Sequence, residues 1–130
     1  MKVKNIILVF ILVLISSACR QGENDLLDNN AIRYAILLEV SQPKAQDIYH
    51  PGDIVPIKWR VLSEMKNVSL QLYKKTEMIT IIAPPMRNTG SFEWTIPADI
   101  NQSHHYKIRV TNPENPDQHN YSEVFYILKD

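Results

Sequence analysis

From Tyr34 to Asp130 the chain alternates apolar and polar residues with a period of two, in short runs cut by Pro, Gly and Asn. Such a period sends successive side chains to opposite faces of an extended strand and cannot line one face of a helix. In "VPIKWRV" Val55, Ile57, Trp59 and Val61 share a face, with Lys58 and Arg60 opposite. Val68, Leu70 and Leu72 alternate with Ser69, Gln71 and Tyr73. Phe92, Trp94 and Ile96 alternate with Glu93 and Thr95, and Tyr106, Ile108 and Val110 with Lys107, Arg109 and Thr111. Ile36, Leu38 and Val40 form an earlier run. In the last run, "YSEVFYILK", Phe125 and Ile127 are expected to face inward and Val124, Tyr126 and Leu128 outward. "MITIIAPP" is a weaker strand whose inward set the pattern leaves ambiguous. "HPGD" at 50–53 is a turn, and Pro97 stops a strand.

These runs predict about seven strands, each with one polar face, whose apolar faces must meet in two layers. The expected fold class is all-β, an antiparallel immunoglobulin/fibronectin III-like β-sandwich over residues 34–130. The chain has one Cys, so no disulfide bridges the sheets and packing alone holds the core. Its large members are expected to be Trp59, Trp94, Tyr106 and Phe125. Tyr106 opens the penultimate strand after "IPADI", where a tyrosine corner sits in such sandwiches; an ordinary half-buried strand Tyr fits the same position.

The N-terminal residues follow another logic. Lys2 and Lys4 precede an unbroken apolar run from Ile6 to Ile15, about half of the roughly 20 residues a membrane-spanning helix needs. Ser16, Ser17 and Ala18 follow, which completes the pattern of a secretory signal peptide over residues 1–18. Cys19 comes next. This junction resembles the lipobox of bacterial lipoproteins, whose Cys carries a diacylglyceryl thioether. Ser17 and Ala18 fit that pattern, and Ser16 stands where the family prefers Leu. Ordinary signal peptidase, reading Ser16-x-Ala18, would instead leave a free N-terminal Cys and a secreted protein. On the lipobox route Cys19 is the lipidation site, and two acyl chains make a stable membrane anchor. Residues 20–33 are polar and aperiodic, a flexible tether of about 20 Å as a coil. Arg20, rather than Asp, after the Cys resembles lipoproteins of the outer membrane of the bacterial cell envelope.

Composition removes several function classes. Lys plus Arg and Asp plus Glu each number 14, so there is no electrostatic footprint for nucleic acid. The sequence has no nucleophile elbow, paired metal motif or Gly-rich phosphate loop. Glu39 and Glu93 sit on strand faces with nothing to make them converge. No enzyme, cofactor or metal is expected. His50 and the His104–His105 pair fall in loops at one end of such a sandwich and His119 at the other; solvated loop histidines are the simpler reading.

A binding role has better candidates. The last strand should pair with the Tyr106 strand, which should pair with the Val68 strand. Their outward residues are Gln71, Tyr73, Lys107, Arg109, Val124 and Tyr126. Tyr73, Lys107, Arg109 and Tyr126 are the candidate ligand-binding residues, since rings mixed with cations suit a glycan or a partner protein. Ordinary cross-strand pairs on a solvated face are the alternative. The Pro-rich loop "TNPENPDQHN" at 111–120 is either a recognition loop or an idle one held open by Pro113 and Pro116. Asn67, Asn101 and Asn120 head Asn-x-Ser sequences that matter only in a eukaryotic host.

A family pattern runs through these strands. Pro43 precedes a turn; Pro51-Gly52 and an Ile57-x-Trp59 strand follow; then Asn88, Gly90, Phe92, Trp94 and Pro97 form an Asn-x-Gly-x-aromatic-x-Trp-x-x-Pro run. Tyr106, Ile108 and Val110 make a Tyr-x-Ile-x-Val strand, and Ser122, Phe125 and Ile127 a Ser-x-x-Phe-x-Ile ending. The pattern resembles the N-terminal domain of the yeast cell-wall synthesis proteins of β-glucan assembly, also described as Ser/Thr-rich glycosylphosphatidylinositol-anchored membrane proteins, over about residues 36–128. The resemblance implies the sandwich fold. A role in fungal glucan assembly is not implied, because the anchor signature here is bacterial and N-terminal. The expected function is a non-catalytic envelope lipoprotein that binds an envelope protein or polysaccharide, or a structural spacer or assembly subunit of a larger membrane-anchored complex.

Overall fold

A computed structural model of the chain describes residues 38–62 and 64–130; the expected signal peptide, the expected lipidation site Cys19 and the expected tether lie outside them. The described residues form nine strands: β1 (Leu38–Gln42), β2 (Ile48–Tyr49), β3 (Ile54–Val61), β4 (Asn67–Lys74), β5 (Glu77–Arg87), β6 (Ser91–Thr95), β7 (Ser103–Thr111), β8 (His119–Tyr121) and β9 (Phe125–Ile127). A small sheet has the order β1-β3-β6. A larger one has the order β2-β9-β7-β4-β5, with β8 also paired to β7.

Nine strands replace the expected seven for two local reasons. The first strand changes sheets: β1 pairs with β3, and after Gln42–Pro43 the chain crosses to pair β2 with β9. That β2–β9 pair is parallel, a departure from the all-antiparallel expectation. The last strand breaks at Ser122–Val124, so β8 and β9 lie along the same side of β7. Ser122 bridges the break: its Oγ accepts the Ile108 N–H at 2.9 Å and donates to the Glu123 carbonyl at 2.8 Å, while its own N–H donates to the Ile108 carbonyl.

The inward sets read from the alternation enclose one core. Val55, Ile57 and Trp59 from β3 meet Val68, Leu70 and Leu72 from β4, Tyr106, Ile108 and Val110 from β7, and Phe125 and Ile127 from β9. Trp59 and Trp94 are buried on the small sheet, but the largest fully enclosed side chains are Tyr106 and Phe125 on the larger one, with ring centroids 6.2 Å apart. Tyr106 forms the tyrosine corner, its hydroxyl donating to the Asn101 carbonyl at 2.5 Å.

The family-pattern residues serve the fold. Gly52 has φ +90° at the third position of the His50–Asp53 turn, which suits a turn with Pro second and Gly third. Asn88 joins the layers: its Oδ1 accepts the Trp59 indole N–H at 2.8 Å, and its Nδ2 donates to the Met65 carbonyl at 2.9 Å. Gly90, at φ +80°, accepts the Trp59 backbone N–H at 3.0 Å.

Candidate functional site

Directly opposed residues in a ladder point to the same face, so register alone assembles the outer face of the larger sheet. One row runs Ile81, Gln71, Arg109, Tyr121 across β5, β4, β7 and β8. The next runs Met78, Tyr73, Lys107. At the far edge Ile48 stands opposite Tyr126. The face is therefore apolar at both edges and cationic between.

Three of the four candidate residues come together. Arg109 Nη1 donates to the Tyr73 hydroxyl at 2.8 Å, and Lys107 Nζ lies 4.1 Å from the centre of the Tyr121 ring. Tyr73 and Tyr121 meet edge to face at 5.4 Å. Tyr126 is not part of this cluster; its ring packs edge-on against His104 at 4.7 Å, where a bulge in β7 turns both His104 and His105 outward. Sequence reading did not place Tyr121 on this face, and it read His119 as a solvated loop residue rather than part of a strand. They belong to β8, whose three residues are too short a run to show a period. The aromatic residue just before the inward Ser122 was the available signal.

Burial pushes the Tyr121 hydroxyl above its ordinary pKa; the nearby Arg109 charge pulls the other way, and Tyr73 adds to the rise. The Arg109 guanidinium also reaches the 111–120 loop, with Nη2 at 3.5 Å from the Pro116 carbonyl and 3.1 Å from His119 Nδ1. That His119 nitrogen lies 2.8 Å from the same carbonyl. A single nitrogen serves one of these bonds, and the short approach to an oxygen requires Nδ1–H. Arg109 Nε is buried with no hydrogen-bond partner among the described residues.

The 111–120 loop is held by its own hydrogen bonds. Asn112 donates from both its backbone N–H and its Nδ2 to Gln118, at 2.9 and 2.8 Å, and its Oδ1 accepts the Glu114 N–H at 3.0 Å. At the opposite end His50 lies near Asp53 and Asp130, both solvent-facing. Among the described residues no three His, Cys, Asp or Glu side chains gather as a metal site would need.

The residues of the family pattern build turns, the corner and the inter-sheet tie, and they fall within the span that a family profile matches. The Kre9/KNH-like N-terminal Ig-like domain matches residues 42–127. The chain belongs to this family. No curated protein matches it. Among solved structures this Kre9/KNH-like chain is similar to the fibronectin(III)-like modules of Clostridium thermocellum CbhA, at 16% identity and a TM-score of 0.43, over 71% of this chain and 93% of that one. The matched span also contains the outer-face residues Tyr73, Lys107, Arg109, Tyr121 and Tyr126.

Proposed function

We propose that this chain is a non-catalytic lipoprotein of the bacterial cell envelope, anchored in the outer membrane through acylated Cys19, whose sandwich binds an envelope protein or polysaccharide on the outer face of the larger sheet. An Ig-like domain of this kind is compatible with a binding or structural module. The observation that carries the binding role is the ladder from Ile81 to Tyr121, where exposed apolar groups flank rings and cations fixed by their neighbours. Anchors held rigid before binding lose little entropy on association. Lys107 already covers a face of Tyr121, and Arg109 is bonded to Tyr73, so a partner meets a preformed surface. A sugar stacks on open ring faces, and the cations over Tyr121 and Tyr73 already occupy them, which favours a protein partner.

A spacer or assembly subunit is the second reading. It is favoured by the same internal contacts: Arg109 already engages Tyr73 and the 111–120 loop within the chain. Cross-linking in the native envelope, followed by mass spectrometry of what is captured, separates the two. Capture of a protein or saccharide that is lost with Tyr126→Ala or Tyr73→Ala, with the fold retained, supports binding on this face. A fixed stoichiometric partner indifferent to both variants supports the assembly role. The same spectra read the N-terminal peptide, and an unmodified Cys19 refutes the anchor.

A further inference from the structure

At one end of the sandwich a cleft of about 320 Å³ opens between the β4–β5 hairpin and the connection from β6 to β7. Sites for small molecules run from ~300 to ~1,000 Å³, so this one suits a small ligand. Its walls follow from register and from one turn. Lys74, the last residue of β4, stands opposite Tyr106. It therefore shares the inward face of Tyr106, not the outward face of Tyr73 and Lys107. The core ends there, and the partly buried Lys74 borders the cleft. The other wall is the Pro97–Ile100 turn, closed by the Ile100 N–H on the Pro97 carbonyl at 3.4 Å. That turn carries Asp99, and the Tyr106 hydroxyl holds the next residue, Asn101, by its carbonyl.

The cleft thus holds one cation and one carboxylate. Among the described residues neither forms an ion pair, with the other or with a third group. Much of the remaining lining is apolar: Ile79, itself 42% exposed, Pro97 and Ile100. These features select the ligand's chemistry. An anion would gain from Lys74 and be repelled by Asp99, and a cation the reverse; a ligand with both charges satisfies both. A free α-amino acid holds its charges side by side, whereas Lys74 and Asp99 stand too far apart for an ion pair. Two peptide residues span at most about 7 Å, which separates ammonium from carboxylate. An uncharged sugar answers neither charge, and Tyr106, 1% exposed, offers it no ring to stack on.

We propose that this cleft binds an apolar dipeptide with free termini, its carboxylate toward Lys74, its ammonium toward Asp99 and a side chain against Ile79 and Ile100. The site is separate from the outer face of the larger sheet, since Tyr73 and Lys107 leave the same two strands on the opposite side. The cleft is open and its charges are solvated, so the dissociation constant should be on the order of 0.1–1 mM.

The test titrates the full chain, with Cys19→Ser to remove its one thiol and its isoleucine methyl groups isotopically labelled, with leucyl-phenylalanine at neutral pH. The methyl signals of Ile79 and Ile100 should shift saturably, while that of Ile48, on the outer face, should not. Lys74→Met and Asp99→Asn should each weaken binding by about threefold. Acetylating the dipeptide's amine should weaken its binding to the parent chain by a similar factor and have no further effect on Asp99→Asn. Amidating its carboxylate should pair with Lys74→Met in the same way. Tyr121→Ala, on the proposed binding face, should bind the dipeptide as its parent does, which keeps this inference separable from the functional reading. No saturable shift up to about 10 mM, a doubly capped dipeptide that binds as tightly as the free one, or capping effects that persist unchanged in Asp99→Asn and Lys74→Met overturns the proposal.

Discussion

The two sheets share one core but differ in how regular they are. In the small sheet β3 keeps strict alternation, with Lys58 and Arg60 exposed and Val55, Ile57 and Trp59 buried, and among the described residues the only register shift lies between Val40 and Gln42. Its outer face carries a loose surface pair, Arg60 to Glu39 at 3.1 Å. In the larger sheet β4 and β5 shift register three times and β7 bulges against β9. Its outer face is locked by ring contacts and by Arg109. Regular strands make a plain outer surface; bulges re-aim side chains and build a structured one.

The largest effect should come from the core that both sheets share, on the larger sheet's side. Phe125 is fully buried, edge to face with Tyr49 at 5.9 Å and tilted against Tyr106. Phe125→Ala should cost about 3–5 kcal/mol in urea unfolding. Asn88→Ala should come next, at about 2–3 kcal/mol, because it strands the Trp59 indole N–H and the Met65 carbonyl together. Asn88→Asp keeps the acceptor for Trp59 and loses the donor to Met65, so it should recover part of that loss. An Asn88→Ala chain as stable as its parent would show that the sheets are joined by packing alone.

How much of this was legible in the sequence follows the same division. Val55, Ile57 and Trp59, or Tyr106, Ile108 and Val110, announce their faces because strict alternation survives through each run. β5 did not, since its register shifts against β4 put Met78 and Ile81 outward and Ala83 inward, a pattern no period of two describes. β2 has two residues and β8 three, too few for any period. The candidate face was half legible. Tyr73, Lys107 and Arg109 follow from parity on β4 and β7. Tyr121 and the separation of Tyr126 depend on the break at Ser122 and the bulge at His104–His105, which are tertiary events.

Alkaline titration tests the larger sheet through its tyrosines. Burial raises the pKa of Tyr106, and of Tyr49 with help from Asp47 and Asp53. A raised folded pKa means the unfolded chain releases its proton first. The stabilisation is complete below the unfolded value, about 10, and is lost as pH rises through the folded one. The urea midpoint should therefore hold at moderate pH and fall above about pH 10. Tyr106→Phe should cost about 1 kcal/mol at neutral pH through the lost bond to Asn101, whose carbonyl can turn to water, and should flatten the alkaline fall. A fall of unchanged steepness would assign it to other groups.

The smallest effect is the most direct comparison, because it makes one substitution on both outer faces. Arg60 is 70% exposed and its partner Glu39 61%, so solvent screens the pair and side-chain entropy offsets most of the attraction. Arg60→Ala should change stability by less than about 0.5 kcal/mol, and by still less in high salt. Arg109 holds the Tyr73 hydroxyl in a part-buried bond that water screens less, and approaches the Pro116 carbonyl at an exposed site. Its gain is reduced by the buried, unpartnered Nε–H, which costs about 1–3 kcal/mol of desolvation. The net for Arg109→Ala is therefore about 1 kcal/mol rather than the sum of its contacts. Arg109→Met should lie between, since an unbranched apolar side chain keeps part of the packing volume and no N–H is left buried. If the two Arg→Ala changes prove equal, the Tyr73–Arg109–Tyr121 cluster adds no more stability than a solvated surface pair. If Arg109→Ala is the larger, the cluster is in part a brace for β8 and the 111–120 loop, and hydrogen exchange at Asn112 and Gln118 should quicken with it.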